Sequence, residues 1–162
     1  LGEAGFATLL FDLLTVEEGG YRPNVFDVPL LAERLGAATR WLAERAECRD
    51  APIGYFGAST GAAAALWAAA DNPQIQTVVS RGGRPDLAGF RLADVRAPTL
   101  LIVGGLDADV LELNEIALAQ LAGPAELRVV AGATHLFEEP GALDEVTALA
   151  REWFTRHLAE CH

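Results

Sequence analysis

The chain has 162 residues, 51% hydrophobic and 22% charged, which suits one compact domain over residues 1–162 with a substantial buried core. Twenty-three acidic residues against twelve basic ones, all arginine, leave a net charge of −11, and such a surface repels phosphate backbones, so nucleic acid is not an expected partner. No apolar run reaches the ~20 residues needed to span a bilayer and no basic leader opens the chain, so neither membrane nor export is expected and the expected location is the cytoplasm.

The opening Leu1-Gly2-Glu3-Ala4-Gly5 reads as the last turn of a helix closed by a glycine, so the chain is expected to begin inside a longer one. Residues 6–14 (FATLLFDLL) read as a first buried strand. Asp27 can cap a helix with Pro29 in its first turn, and Leu31, Leu35, Ala38, Leu42 and Ala46 then recur at helical spacing. A second strand is expected over residues 52–56 and an alanine-dominated helix over residues 60–70, ended by Asp71-Asn72-Pro73. Residues 75–80 form a third expected strand, opening into the loop RGGRPDLAG. Residues 99–103 form a fourth, followed by a helix over about residues 110–121, and residues 126–131 form a fifth. A last helix is expected over residues 142–159, burying Val146, Leu149, Ala150, Trp153, Phe154 and Leu158. Strands alternating with helices predict the α/β class: a three-layer αβα sandwich around a mainly parallel sheet of about five strands.

In a parallel sheet, reactive groups gather at the carboxyl ends of the strands. Gly57-Ala58-Ser59-Thr60-Gly61 is a G-x-S-x-G between an expected strand and an expected helix, a turn that lifts a serine above the sheet edge. Asp107 follows the fourth strand and Asp109 competes with it; an aspartate there also caps the next helix. His135 follows the fifth strand, whereas His157 and His162 lie in or after the last helix, where a solvated role is expected. The order Ser, Asp, His at successive strand ends is that of a nucleophile, an orienting acid and a general base, and it makes Ser59, Asp107 and His135 the candidate catalytic residues. The backbone N–H of Thr60 is the candidate oxyanion donor. Arg81 and Arg84 follow the third strand on the same edge, either as a clamp for a substrate carboxylate or, through Asp86, as a brace for their own loop. Tyr21, in the long loop after the first strand, is a candidate border of the pocket. Glu138 and Glu139 read as a solvated approach to the last helix. Cys48 and Cys161 form neither a CxxC pair nor a zinc pattern, and no cofactor or metal is expected.

FDLLTVEE, NVFD, GYFGASTGAAAAL, VVSRGGRPDLAG, APTLLIVGGLD and GATHLFEEPGAL resemble blocks of the dienelactone hydrolase-like branch of the α/β-hydrolase superfamily, in particular bacterial hydrolases sometimes fused to a phosphoribosyltransferase domain. The resemblance runs nearly end to end. It implies a serine hydrolase acting on a small-molecule ester, with Ser59, Asp107 and His135 as its triad. Lactone or thioester cleavage is the chemical alternative, and a nearly inert hydrolase-fold fragment that needs a further N-terminal segment or partner domain is the other. Dienelactone hydrolases proper use a cysteine nucleophile where this chain has Ser59. Members of the family also begin with further strands, one of which lies between the strands matching residues 6–14 and 52–56 and is followed by a loop with the second oxyanion donor. The expectation is therefore that these two strands pair directly or that copies exchange elements in a homodimer.

Overall fold

The structure, a computed structural model, describes residues 1–158. Two short helices, α1 (Val16–Gly19) and α2 (Arg22–Val25), lead into α3 (Val28–Ala43). Then follow β1 (Ile53–Ala58), α4 (Thr60–Asp71), β2 (Ile75–Arg81), β3 (Thr99–Gly104), α5 (Ala108–Leu118), β4 (Ala125–Val130) and α6 (Ala142–His157). The four strands form one parallel sheet in the order β1-β2-β3-β4. The α/β class and the sandwich follow the sequence reading. The expected extension of the last helix to residue 159, together with Cys161 and His162, lies outside the described residues.

Side chains alternate between two cores, as strand geometry requires. Val78 joins Val28, Ala32, Leu66, Leu92 and Ala117 beneath α3, α4 and α5, whereas Val79 joins Leu100, Ile102, Val130, Trp153 and Phe154 beneath α6. In α4, four consecutive alanines, Ala62 to Ala65, are fully buried or nearly so, because a helical turn bearing only methyl side chains can pack closely against its neighbours. The indole of buried Trp153 donates to Thr77 Oγ1 at 2.8 Å, and Thr77 donates to the Pro98 carbonyl at 2.7 Å, fastening α6 to β2. Such buried bonds contribute about 0.5–1.5 kcal/mol each and cost more if one partner is left alone.

The expected strand over residues 6–14 does not form. Phe6 packs against Phe154, at 6.1 Å between ring centroids, but Leu9, Leu10 and Phe11 are exposed, Leu10 to 96%. Among the described residues the segment belongs to no sheet and does not pair with β1, so β1 is an edge strand and the sheet has four strands rather than five. A strand exists through its partner's hydrogen bonds, and apolar composition alone does not supply one. Leu1–Gly5 is a single 3₁₀ turn closed by Gly5 in the left-handed region, at φ 85°. The loop after β2 contains 3₁₀ turns over Pro85–Asp94 that bury Ala88 and Leu92. Among the described residues, no helix is long and apolar enough to cross a membrane.

Candidate functional site

All four strands run the same way, so the loops after β1, β2, β3 and β4 converge on one sheet edge. A cleft of about 440 Å³ opens there, lined by Ser59, Thr60, Asp107, His135, Arg84 and Asp109 among others.

Ser59 sits between β1 and α4 at φ 50° and ψ −123°, a conformation that few non-glycine residues adopt. Serine at a helix N-cap ordinarily turns its hydroxyl onto the first-turn amides, yet the Ser59 side chain makes no capping bond. The strained backbone leaves that hydroxyl to the cleft. The two glycines of the motif differ in what they do. A Cβ on Gly57 would sit 2.5 Å from the Gly61 carbonyl oxygen and 2.6 Å from Ala62 Cα, so α4 can start this close to β1 only over glycine. A Cβ on Gly61 would meet nothing within 4 Å. Thr60 is the first residue of α4, and its amide N–H has no carbonyl of the preceding turn to bond.

Asp107 precedes α5 but makes no side-chain capping bond either. Its Oδ2 lies 2.7 Å from His135 Nδ1, with the aspartate side chain 16% and the histidine 40% exposed. Asp109 lines the same cleft without that contact. The two loops are pressed together by backbone: the Leu106 N–H donates to the Ala133 carbonyl at 2.9 Å, and Gly104 lies against the carbonyls of Ala133 and Thr134. The His135 loop is anchored by fully buried Phe137, held at φ 56°. It is closed by Thr134 Oγ1 donating to Glu139 at 2.6 Å, and this bond holds the Glu139 carboxyl below its ordinary range. Glu139 is thus a brace of the histidine loop rather than a solvated approach. No hydrogen bond joins the Ser59 hydroxyl to the His135 ring; such contacts are often long in unliganded sites and tighten around substrate.

The remaining sequence candidates divide. Arg84 lines the cleft, but its guanidinium is engaged by Asp86 through two bonds of 2.9 and 2.8 Å, which raise its pKa further. Arg81 does not line the cleft; it lies over the Phe137 ring, 5.7 Å from the centroid, on the α6 side of the sheet. Tyr21 is 64% exposed and also outside the cleft. The sequence reading missed Val25 and Phe26 from the end of α2, and Val110 and Leu113 from α5, which give the cleft apolar walls. Their signal was the NVFD turn and an i, i+3 pair directly after Asp107. A shallow depression of about 630 Å³ on α6, lined by Glu145, Leu149, Glu152 and Arg156, holds none of the candidate residues. Among the described residues, no group of three metal-ligating side chains gathers.

No family model matches the chain. A solved dienelactone hydrolase from Anabaena variabilis is 53% identical over 98% of this chain and 76% of its own, with a TM-score of 0.92. The esterase domain of a Rhodothermus marinus protein shares the fold at 20% identity and a TM-score of 0.68, covering 79% of this chain and 70% of its own. A Mycobacterium tuberculosis protein named as a phosphoribosyl transferase is 63% identical over 156 residues, 96% of this chain. The chain spans about a third of the length of that curated relative, 35%.

Proposed function

The chain belongs to the dienelactone hydrolase family of α/β hydrolases, and from that premise we propose that it is a serine hydrolase cleaving carboxylic esters of small acyl groups through an acyl-enzyme on Ser59. The observation that carries the proposal is the 2.7 Å contact of Asp107 with His135 in the same cleft as a serine hydroxyl that no capping bond engages.

In this reading, the Asp107 carboxylate accepts a hydrogen bond from the Nδ1–H of His135 and leaves Nε2 as the base. As Ser59 Oγ attacks the acyl carbon, His135 takes its proton, and the carbonyl π electrons move onto oxygen. The Thr60 N–H donates to that oxyanion. Collapse breaks the carbon–oxygen bond to the alcohol, which leaves with the proton from His135. Water, deprotonated by the same imidazole, then attacks the acyl-serine; the imidazolium returns its proton to Ser59, and the carboxylic acid departs and ionises in solvent. Val25, Phe26, Val110 and Leu113 offer apolar surface for a short acyl chain. Arg84, neutralised by Asp86, shapes the cleft wall. No cofactor enters the scheme. The transferase name belongs to a protein of which this chain covers 35%, whereas it covers 76% of the hydrolase from Anabaena.

The homodimer is carried forward in the same sense. The free edge of β1 and the unpaired residues 6–12, with exposed Leu9, Leu10 and Phe11, are complementary halves of a strand exchange between two copies. A free, half-buried Cys48 thiol fits a reducing cytoplasm. The activity test is hydrolysis of p-nitrophenyl acetate and butyrate, with lactones and thioesters alongside and the mass in solution measured in parallel. Ester turnover above that on lactones and thioesters supports the reading; turnover of lactone alone, or none by a folded chain, replaces it with the corresponding alternative.

A further inference from the structure

Asn114 is the one asparagine on the inward stripe of α5 shared by Val110 and Ala117, and it is fully buried. Its Nδ2 donates to the Val110 carbonyl in its own helix at 2.7 Å and to the Gly83 carbonyl, 31 residues away, at 3.0 Å. Position 83 admits only glycine in this arrangement. A Cβ there would collide with Ser80 Oγ and lie 2.7 Å from Ala62 Cβ in the first turn of α4. The next amide, the Arg84 N–H, donates to the Ser59 carbonyl at 3.1 Å, and the Ser59 N–H reaches back to the Arg81 carbonyl at 3.4 Å. The Ser59 carbonyl also accepts from the Ala62 N–H of α4 at 3.1 Å, so residues 81–84 share the hold on the serine's backbone with α4, and Asn114 makes the long-range side-chain hydrogen bond to that segment among the described residues.

We propose that Asn114 is a positioning residue for Ser59: by holding the Gly83 carbonyl it sets the Arg84 N–H that fixes the serine's strained backbone. The proposal rests on the reading of Ser59 as nucleophile. A non-glycine residue at φ 50° persists only where its surroundings over-determine it. Without the amide of Asn114, Gly83 can shift, the Arg84–Ser59 bond lengthens, and the hydroxyl moves relative to His135. A displacement on the order of 1 Å costs about 10²-fold in rate, and a partial one costs less.

The test compares N114L, of similar volume but unable to donate, and N114A with T39V, which removes the buried Thr39–Tyr55 bond away from the site. The expected result is a fall in kcat on p-nitrophenyl acetate of about 10- to 100-fold in N114L or N114A, with KM within about twofold. T39V keeps its kcat. Amide exchange of Arg84, read by NMR, accelerates in the Asn114 variants and not in T39V. If N114L does not fold, N114A carries the comparison. Wild-type kcat in a folded Asn114 variant, or an equal fall in T39V, overturns the proposal. A wild-type chain with no ester turnover refutes the hydrolase reading instead, and Arg84 exchange then decides alone: acceleration supports the tether and no change overturns it.

Discussion

Gly104→Ala tests whether the contact between the aspartate and histidine loops carries the site. Gly104 ends β3, and a Cβ there would lie 2.9 Å from the Ala133 carbonyl carbon and nearer still to the carbonyl oxygens of Ala133 and Thr134. These are backbone atoms, so no side chain can rotate away. Relief to an ordinary contact requires the histidine loop to retreat by on the order of 1 Å, which stretches the 2.7 Å His135–Asp107 contact past hydrogen-bonding range. Overpacking of this kind costs about 1–3 kcal/mol, or roughly 3–10 °C in Tm for a chain of this size. The loss of geometry costs about 10²-fold in kcat. The assay is p-nitrophenyl acetate hydrolysis with thermal unfolding in parallel, and Gly105→Ala as control. A Cβ on Gly105 meets Val129 Cγ1 at 3.3 Å and the Val130 carbonyl at 3.4 Å, which small shifts relieve, so that variant should retain its rate. Wild-type kcat and Tm in Gly104→Ala would refute the reasoning.

The two glycines of the serine turn should respond unequally: Gly57→Ala destabilises by about 1–3 kcal/mol and abolishes turnover, while Gly61→Ala leaves both nearly unchanged in melting and rate assays. Asp107→Asn should lower kcat by about 10⁴-fold and Asp109→Asn by less than about threefold, because only Asp107 holds the His135 ring. The Arg34 guanidinium, bonded to Glu18 at 2.7 Å, holds that carboxyl down at about 2 against a reference of 4.5. Its folded value lies below its unfolded one, so this pair's contribution is present above pH 4.5 and is lost as pH falls towards 2. An NMR titration should place the Glu18 midpoint near 2, and Arg34→Ala should return it towards 4.5.

The alternation of strand and helix was legible from residue 52 onwards because the strands there, apart from β2 with its long loop, are each followed by a helix that packs on the sheet. Residues 6–14 have the same composition, yet pairing is a long-range property that a local pattern does not contain. The choice between Asp107 and Asp109 was also beyond spacing. It is made by the turn before α5, which places one carboxylate against His135, and by Gly104, which admits the histidine loop. Arg81 and Arg84 were indistinguishable as a pair of cations after one strand. Strand parity sends Arg81 to the Phe137 side, whereas Arg84 emerges past the strand end and meets Asp86 two residues on. Asn114 announced itself only as a polar residue on an apolar stripe, and its partner, a backbone carbonyl 31 residues away, has no sequence signature.

The central claim is that Ser59 is an activated nucleophile, and the most direct measurement is to treat the folded chain with a fluorophosphonate ester and locate the adduct by peptide mass. One adduct is expected, on the peptide containing Ser59, absent from Ser59→Ala and formed at least about 10²-fold more slowly in His135→Gln. A folded chain that takes up no label, or carries it on another residue, would contradict the claim.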